Sequence, residues 1–256
     1  MSKFDNVPTS TALISRLQVF EPRRKPEYDE FEKRVIKTQY GQAEITGRLG
    51  QAHADVLESI LFNIEEVVEI TDDYLIVLGK PYKVRISAGG GKQFSGSQLD
   101  VITKQLMSAV IDIRANGVKV FGHIIDLVEV VENDEISPLA KAGIGHGKKT
   151  LWKVTIGKGY LQILKDDLMK IRRDPIKIAR ISNGISQAIT RFCKTHSNTP
   201  NGGWKLNGLI DAVGGGNGTA QALKDRRREV RKDAPAMLDC GVKVEGDRVI
   251  LKGKND

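Results

Sequence analysis

The sequence predicts an α+β protein built as two winged-helix domains in tandem. Helical and strand periods alternate along the chain instead of segregating into blocks. The second half runs helix, short strand, helix, glycine-rich turn, long basic helix and closing hairpin. The first half repeats that plan more loosely, with two amphipathic helices followed by two long strands around a Gly- and Lys-rich loop. For 256 residues, a guide of about 150 residues per domain favours one or two domains. The expected divisions are a flexible N-terminal arm over 1–28, a first winged-helix-like domain over 29–172 and a second winged-helix domain over 173–256.

Pro8, Pro22, Pro26 and the Arg23-Arg24-Lys25 run give the arm no sustained period. A hairpin is expected around Gly41-Gln42, and a helix over about Gln51 to Ile64, where Val56, Leu57, Ile60, Leu61 and Ile64 share a face. Val67–Ile70, Tyr74–Leu78 and, after Pro81, Tyr82–Ile86 have the composition of strands. Gly89-Gly90-Gly91 breaks the chain before a helix at about Ser97 to Ala115, started by the Ser97/Asp100 pair and striped by Leu99, Ile102, Leu106, Ala109, Val110 and Ile113. Strands at Val118–Val131 and Leu151–Ile156 flank the loop, and a helix from about Tyr160 to Ile171 closes the half.

The second half opens on Asp174-Pro175, an N-cap with Pro in the first turn, and a helix to about Lys194. Trp204-Lys205-Leu206 is a short strand, Leu206–Val213 a helix, and Gly214 to Gly218 a turn. A long helix then runs from Thr219 to about Leu238, with Leu223, Arg226 or Arg227 by its stem, Val230, Ala234 and Leu238 inward and Pro235 marking a kink or a new start. Val242-Lys243-Val244 and Arg248 to Lys252 form the final hairpin.

Charge narrows the function. The chain carries 40 Lys and Arg against 32 Asp and Glu, a net +8. Residues 1–147 hold 17 basic and 21 acidic side chains, whereas residues 148–256 hold 23 and 11, a net +12. A polyanion is drawn to the second part. The helix that enters a major groove in this plan is the third, and six basic residues lie between Lys224 and Lys232 on it. Gln221, Lys224, Arg228 and Arg231 share its outward face with Arg227 beside them, while Asn217 and Thr219 lie at its start. Arg and Gln suit guanine and adenine edges, and Lys anchors phosphate. The first-half helix offers Lys104, with Gln98, Gln105 and Ser108, but also Asp100 and Asp112; its wing offers Lys148 and Lys149, with Lys141 and His146. A solvated basic face is the plainer reading of such runs.

Other chemistries lack their residues. Gly89-Gly90-Gly91-Lys92-Gln93 has Gln93 where a P-loop needs Ser or Thr. Cys193 and His196 have no second pair at metal spacing, and the Asp72-Asp73 and Asp166-Asp167 side chains diverge. No catalysis, cofactor or metal is expected. Two cysteines make no disulfide framework, the start lacks a signal-peptide pattern and no apolar run spans a membrane, so a cytoplasmic location is expected.

Three runs carry a resemblance: Gly147-Lys148-Lys149-Thr150 leading into the Leu151 strand; Lys170-Ile171-Arg172-Arg173-Asp174-Pro175, opening a helix that ends Arg191-Phe192-Cys193-Lys194-Thr195-His196; and Ala222-Leu223-Lys224-Asp225-Arg226-Arg227-Arg228-Glu229-Val230. In their order and spacing the stretch from about Gly50 to Lys252 resembles the iteron-binding plasmid replication initiators, especially those of broad-host-range plasmids. The resemblance implies tandem winged helices with pseudo-two-fold organisation and binding of double-stranded DNA at repeated origin sites. It also implies monomers competent for initiation, homodimers that are not, and host helicase as a partner. Residues 65–86 depart from it, reading as strands where a second helix belongs. In the arm, Arg16-Leu17-Gln18-Val19-Phe20 resembles the extended peptide that binds bacterial sliding clamps, with Leu17 and Phe20 matching; the same residues also read as an edge strand on the first domain. Two other classes stay in view: a repressor binding palindromic operator DNA as a dimer, and a nuclease or nucleotidyl transferase.

Overall fold

The computed structural model describes residues 7–25, 27, 29–92, 94–115, 117–136, 148–167 and 169–252, and it is a mixed α/β protein. The segment expected as a flexible arm is folded over its described residues. Ser10–Thr11 (β1) pairs antiparallel with Lys170–Ile171, and Ala12–Arg16 (α1) follows. Ala12, Leu13, Ile14, Leu17, Val19 and Phe20 are all buried. Short pieces of strand and helix leave no period to detect, so burial here was invisible to pattern analysis. Gln18 adopts φ of +52° and its Nε2 donates to the Ala212 carbonyl at 2.8 Å, pinning this segment to the second half.

The expected hairpin is present as Lys33–Thr38 (β2) and Gly41–Thr46 (β3). Gln51–Phe62 (α2) lies in the middle of the molecule, buried from Gln51 through Leu61, and Ile64 opens the next strand. Ile64–Ile70 (β4) and Leu75–Gly79 (β5) form a hairpin. Pro81–Ala88 (α3) is a helix, not the expected strand: Pro81 sits in its first turn, and Val84, Ser87 and Ala88 are buried at helical spacing. The strand-like composition of Tyr82–Ile86 loses to this packing against α2. Gly96–Ser108 (α4) is capped by Ser95, which accepts from the Gln98 N–H, rather than by Ser97. It ends well before Ala115. Val110–Ala115 (β6) is a strand, because Ile111, Ile113 and Ala115 alternate inward, a period the helical stripe had masked.

The run 118–131 splits at Ile124 into Val118–His123 (β7) and Ile125–Ile136 (β8), which join different sheets. Lys148–Ile156 (β9) pairs with β8, and Lys158–Asp166 (α5) leads to Lys170–Ile171 (β10). One four-stranded antiparallel sheet has the order β2-β3-β6-β7, the other β4-β5-β9-β8.

In the second half, Pro175–Ala179 (α6) and Gly184–Cys193 (α7) are two helices where one was expected. The Asp233 carboxylate holds the break, accepting from the backbone N–H groups of Ser182 (3.3 Å) and Asn183 (2.9 Å). Trp204–Lys205 (β11), Leu206–Ala212 (α8) and Ala220–Lys232 (α9) follow in the expected order. Pro235 marks a new start, Ala234–Asp239 (α10), and the change of phase buries Met237 and leaves Leu238 exposed, the reverse of the expected stripe. Val242–Glu245 (β12) and Arg248–Leu251 (β13) complete a sheet of order β11-β13-β12.

The two halves repeat one plan. Helix α2, strand β5, helices α3 and α4 and strands β8 and β9 match α7, β11, α8, α9, β12 and β13, and in both sheets the last strand lies between the other two. The second helix missing from the sequence reading is α3. A triple glycine follows α3 and another follows α8. Gly90 (φ +68°) and Gly214 (φ +79°) are left-handed, and a Cβ on either would meet Arg180 N at 2.9 Å or Gln18 Oε1 at 2.5 Å.

A buried ion cluster joins the halves. Arg191 of α7 donates through Nη2 to Asp55 Oδ1 (2.7 Å) and Glu58 Oε2 (3.0 Å), and through Nη1 to Gln51 Oε1 (2.7 Å), all on α2. Arg173 Nη1 meets Glu58 Oε1 at 2.7 Å, and its Nη2 donates to Ser15 Oγ and the Arg191 carbonyl. Burial pushes the Asp55 carboxyl up. Burial also opposes ionisation of Glu58, but Arg191 and Arg173 outweigh it and hold that carboxyl below the usual range.

Arg191→Met should lower the unfolding free energy by about 3–5 kcal/mol in urea denaturation, because two buried carboxylates lose their shared partner; a loss no larger than that of a surface substitution would contradict the cluster. A carboxyl with a lowered native pKa contributes stability that is complete above the usual carboxylate range and is lost as the pH falls through the lowered value. Glu58→Gln should therefore be less stable than the parent near neutrality, and the two urea midpoints should converge on acidification.

Candidate nucleic-acid interface

The sequence of α9 builds a cationic, outward-facing helix from three local devices. Thr219 caps it, its Oγ1 accepting from the Ala222 N–H at 3.2 Å. Val230 is buried and Leu223 packs against the second-half core, which fixes the rotation of the helix. Arg226 reaches back to the turn, donating through Nη1 to the carbonyls of Asn217 (2.6 Å) and Gly215. Sequence reasoning placed Arg226 or Arg227 inward by the stem alone; the guanidinium of Arg226 is what braces Gly214–Gly218. The residue to notice was a basic side chain three to four positions from Leu223 and Val230, on the inward stripe.

With that rotation, Gln221, Lys224, Arg228 and Arg231 are exposed on one side, while Arg227 is half-buried. The Arg228 side chain is 79% exposed. Asp225 stands between the first members, accepting from Gln221 Nε2 at 3.2 Å and pairing with Arg228 Nη2 at 3.2 Å. Exposed pairs of this kind contribute little to stability, at most about 1 kcal/mol, and here they hold two side chains pointing out of the helix. Arg231 Nη2 meets Asp247 Oδ1 at 2.6 Å and its Nε the Gly246 carbonyl at 3.4 Å. That contact ties the end of α9 to the tip of the β12–β13 hairpin. Asn217 and Thr219 are exposed at the helix start, so seven expected residues gather on one element and its turn.

The other expected residues do not join them there. Lys104 is exposed on α4 with Gln98, Val101 and Ser108, while Gln105 is turned inward and bonded to His53 Nε2 at 2.8 Å. The Gly50 N–H donates to His53 Nδ1, so Nε2 carries the proton. Asp112 lies on β6 rather than on the helix. Lys148 and Lys149 open β9, and Lys141 and His146 lie outside the described residues. Leu17 and Phe20 are 0% and 7% exposed in the core, so they form no free peptide for a clamp. Burial lifts the Cys193 thiol to about 12, and His196 packs between Phe192 and Trp204 with its ring tilted to the first and edge-on to the second. Among the described residues no group of His, Cys, Asp and Glu could hold a metal, and no helix is long and apolar enough to cross a membrane.

A cleft of about 980 Å³ separates β2 from the inner side of α9. Most of its cations are engaged with protein: Arg34 donates to the carbonyls of Gln18 and Val19, Arg48 pairs with Glu21 and Glu32, and Arg226 braces the turn, while Lys37 of β2 has no ion-pair partner among the described residues. Asp211, Asp225 and Glu229 line it as well. The cleft is thus mixed in charge, and the cationic surface is the opposite side of α9.

No protein-family model and no curated protein matches the sequence. Among solved structures, the chain is similar to the crystal structure of domains 2 and 3 of RctB, with a TM-score of 0.55 and 13% sequence identity over 94% of this chain and 96% of that one. At this identity the likeness is one of fold.

Arg226→Ala should cost about 1–2 kcal/mol of stability, since two turn carbonyls lose a charged donor, and Thr219→Ala about 1 kcal/mol through the lost cap. Thermal or urea unfolding of both variants measures this; an Arg226→Ala protein as stable as the parent would show that the turn needs no brace.

Proposed function

We propose that this protein is a replication initiator that binds duplex DNA through winged-helix domains, with α9 as the helix that reads the major groove. The observation that carries the reading is the row Gln221, Lys224, Arg228 and Arg231, exposed on α9, which Arg231 and Asp247 tie to the β12–β13 hairpin, an arrangement that suits the third helix of a winged helix-turn-helix. The fold shared with domains 2 and 3 of RctB, a replication initiator, supports it. In this reading Arg228 and Gln221 meet base edges, Lys224 lies beside them, and Arg231 and the hairpin follow the backbone.

Two non-identical copies of one plan in a single chain suit a direct repeat read by a monomer, whereas a dimeric repressor suits a palindrome. We therefore favour repeats at a plasmid origin as the target. Occupation of adjacent repeats would strain neighbouring A·T-rich DNA and recruit the host helicase. Leu17 and Phe20 are spent in the core, so contact with a sliding clamp would use another surface. The protein acts by binding and carries out no covalent chemistry in this reading.

Selection of bound duplexes from a random pool should return a tandem repeat; a palindrome would favour the repressor. On the selected site Arg228→Ala should cost about 1–3 kcal/mol, and much less on random duplex. Arg231→Ala should weaken both alike. An Arg228→Ala protein that keeps its full affinity and sequence preference would overturn the assignment of α9.

A further inference from the structure

We infer that the outward face of the β2-β3-β6-β7 sheet binds single-stranded nucleic acid. The inference rests on the reading of the chain as an initiator and adds to it a second surface, remote in sequence from α9.

The antiparallel registers place side chains in rows across this face. Lys37, Gln42, Arg114 and Lys119 form one row, through the pairs Lys37↔Gln42, Gln42↔Arg114 and Arg114↔Lys119. Val35, Glu44, Asp112 and Phe121 form the next. Opposite residues of one row stand about 5 Å apart, and residues two apart along a strand about 7 Å. Phe121 is 75% exposed and Val35 56%. The acids of the face are answered locally, Glu44 by Lys33 at 3.4 Å and Asp112 by Arg114 at 3.3 Å. Lys37 and Lys119 have no ion-pair partner among the described residues. Where the row ends, the two hairpin tips enclose a hollow of about 500 Å³ lined by Gln39, Tyr40, Arg114 and Lys119.

Lysines on β2 and β7 by themselves suit edge strands that must not pair with another sheet. Phe121 argues against that role, because an exposed aromatic in the middle of an edge strand invites association. A ring lying open beside a line of cations is the arrangement that stacks an unpaired base while its phosphates meet Lys and Arg. A duplex presents no base face to such a ring. A second copy of the chain would bring its own uncompensated Lys37 and Lys119 to the contact.

Fluorescence anisotropy with labelled oligothymidylate and with a random duplex of equal length, on the full-length protein, tests this. Phe121→Ala should weaken oligothymidylate binding about tenfold and leave the duplex unchanged. The triple variant Lys37→Ala/Arg114→Ala/Lys119→Ala should lower the salt slope for the oligonucleotide by about 2, at roughly 0.7 per phosphate contact. Unaltered circular-dichroism melting of these exposed variants would show that the fold is kept. Full oligothymidylate affinity in both variants would overturn the proposal. So would losses confined to the duplex, or self-association abolished by Phe121→Ala with oligonucleotide binding intact. Arg228→Ala separates the two readings: it should change selected-duplex binding and leave oligothymidylate binding as it was.

Discussion

The structure is organised around four charges taken out of water. Asp55, Glu58, Arg173 and Arg191 are each almost wholly buried between the two halves. Removing such groups from solvent costs several kcal/mol per ion, recovered only where geometry is good and the remaining donors and acceptors find partners. Here Arg191 spans both carboxylates and Gln51, and Gln187 Nε2 adds a bond to Asp55 at 3.3 Å. The halves cannot slide by even one helical turn without leaving a charge unpaired. A hydrophobic seam of equal area would stabilise the contact without fixing it so narrowly.

That constraint explains the N-terminal segment. Ser15 supplies an acceptor for Arg173, and Arg24 Nη2 lies 3.7 Å from Asp55 Oδ2. Arg16 bonds the Thr195 carbonyl at 2.7 Å and sits over the Tyr40 ring, so it touches both halves. The segment between Thr9 and Arg24 is therefore a strap across the seam. Its basic residues look from sequence like a solvated or DNA-seeking arm, yet two of its arginines are spent on protein. Prolines and the absence of a period report on regular structure; they say nothing about burial.

The second half was legible because its elements carry their own punctuation. Asp174-Pro175, Gly214 to Gly218, Thr219 and the Gly241/Gly246 hairpin mark boundaries that tertiary packing leaves alone, and α9 shows its basic face directly. The misreadings share a cause: two periods fit the same residues. Leu106, Ala109, Val110 and Ile113 satisfy a helix, while Ile111, Ile113 and Ala115 satisfy a strand, and sheet pairing with β3 decides. Tyr82–Ile86 has strand composition and lies in a helix because α2 needs a partner there. The ion cluster was out of reach, since its members are separated by more than a hundred residues. The exposed row on the β2–β7 sheet needed the register of four strands before its residues could be seen as neighbours.

The repeated plan gives the cluster a further role. Helices α2 and α7 occupy equivalent places in the two halves, so the seam joins corresponding helices. A repeat of this kind has an alternative open to it: like halves from two chains could meet across the same surfaces. The charges are distributed against that outcome. Asp55 and Glu58 both lie on α2 and Arg191 lies on α7. Two copies of α2 face to face would bury four carboxylates without a guanidinium between them, and two copies of α7 would bury a pair of arginines. Each arrangement leaves uncompensated charge in the interior, at several kcal/mol per ion. Unequal charges on equivalent helices therefore keep the first half paired with the second half of its own chain.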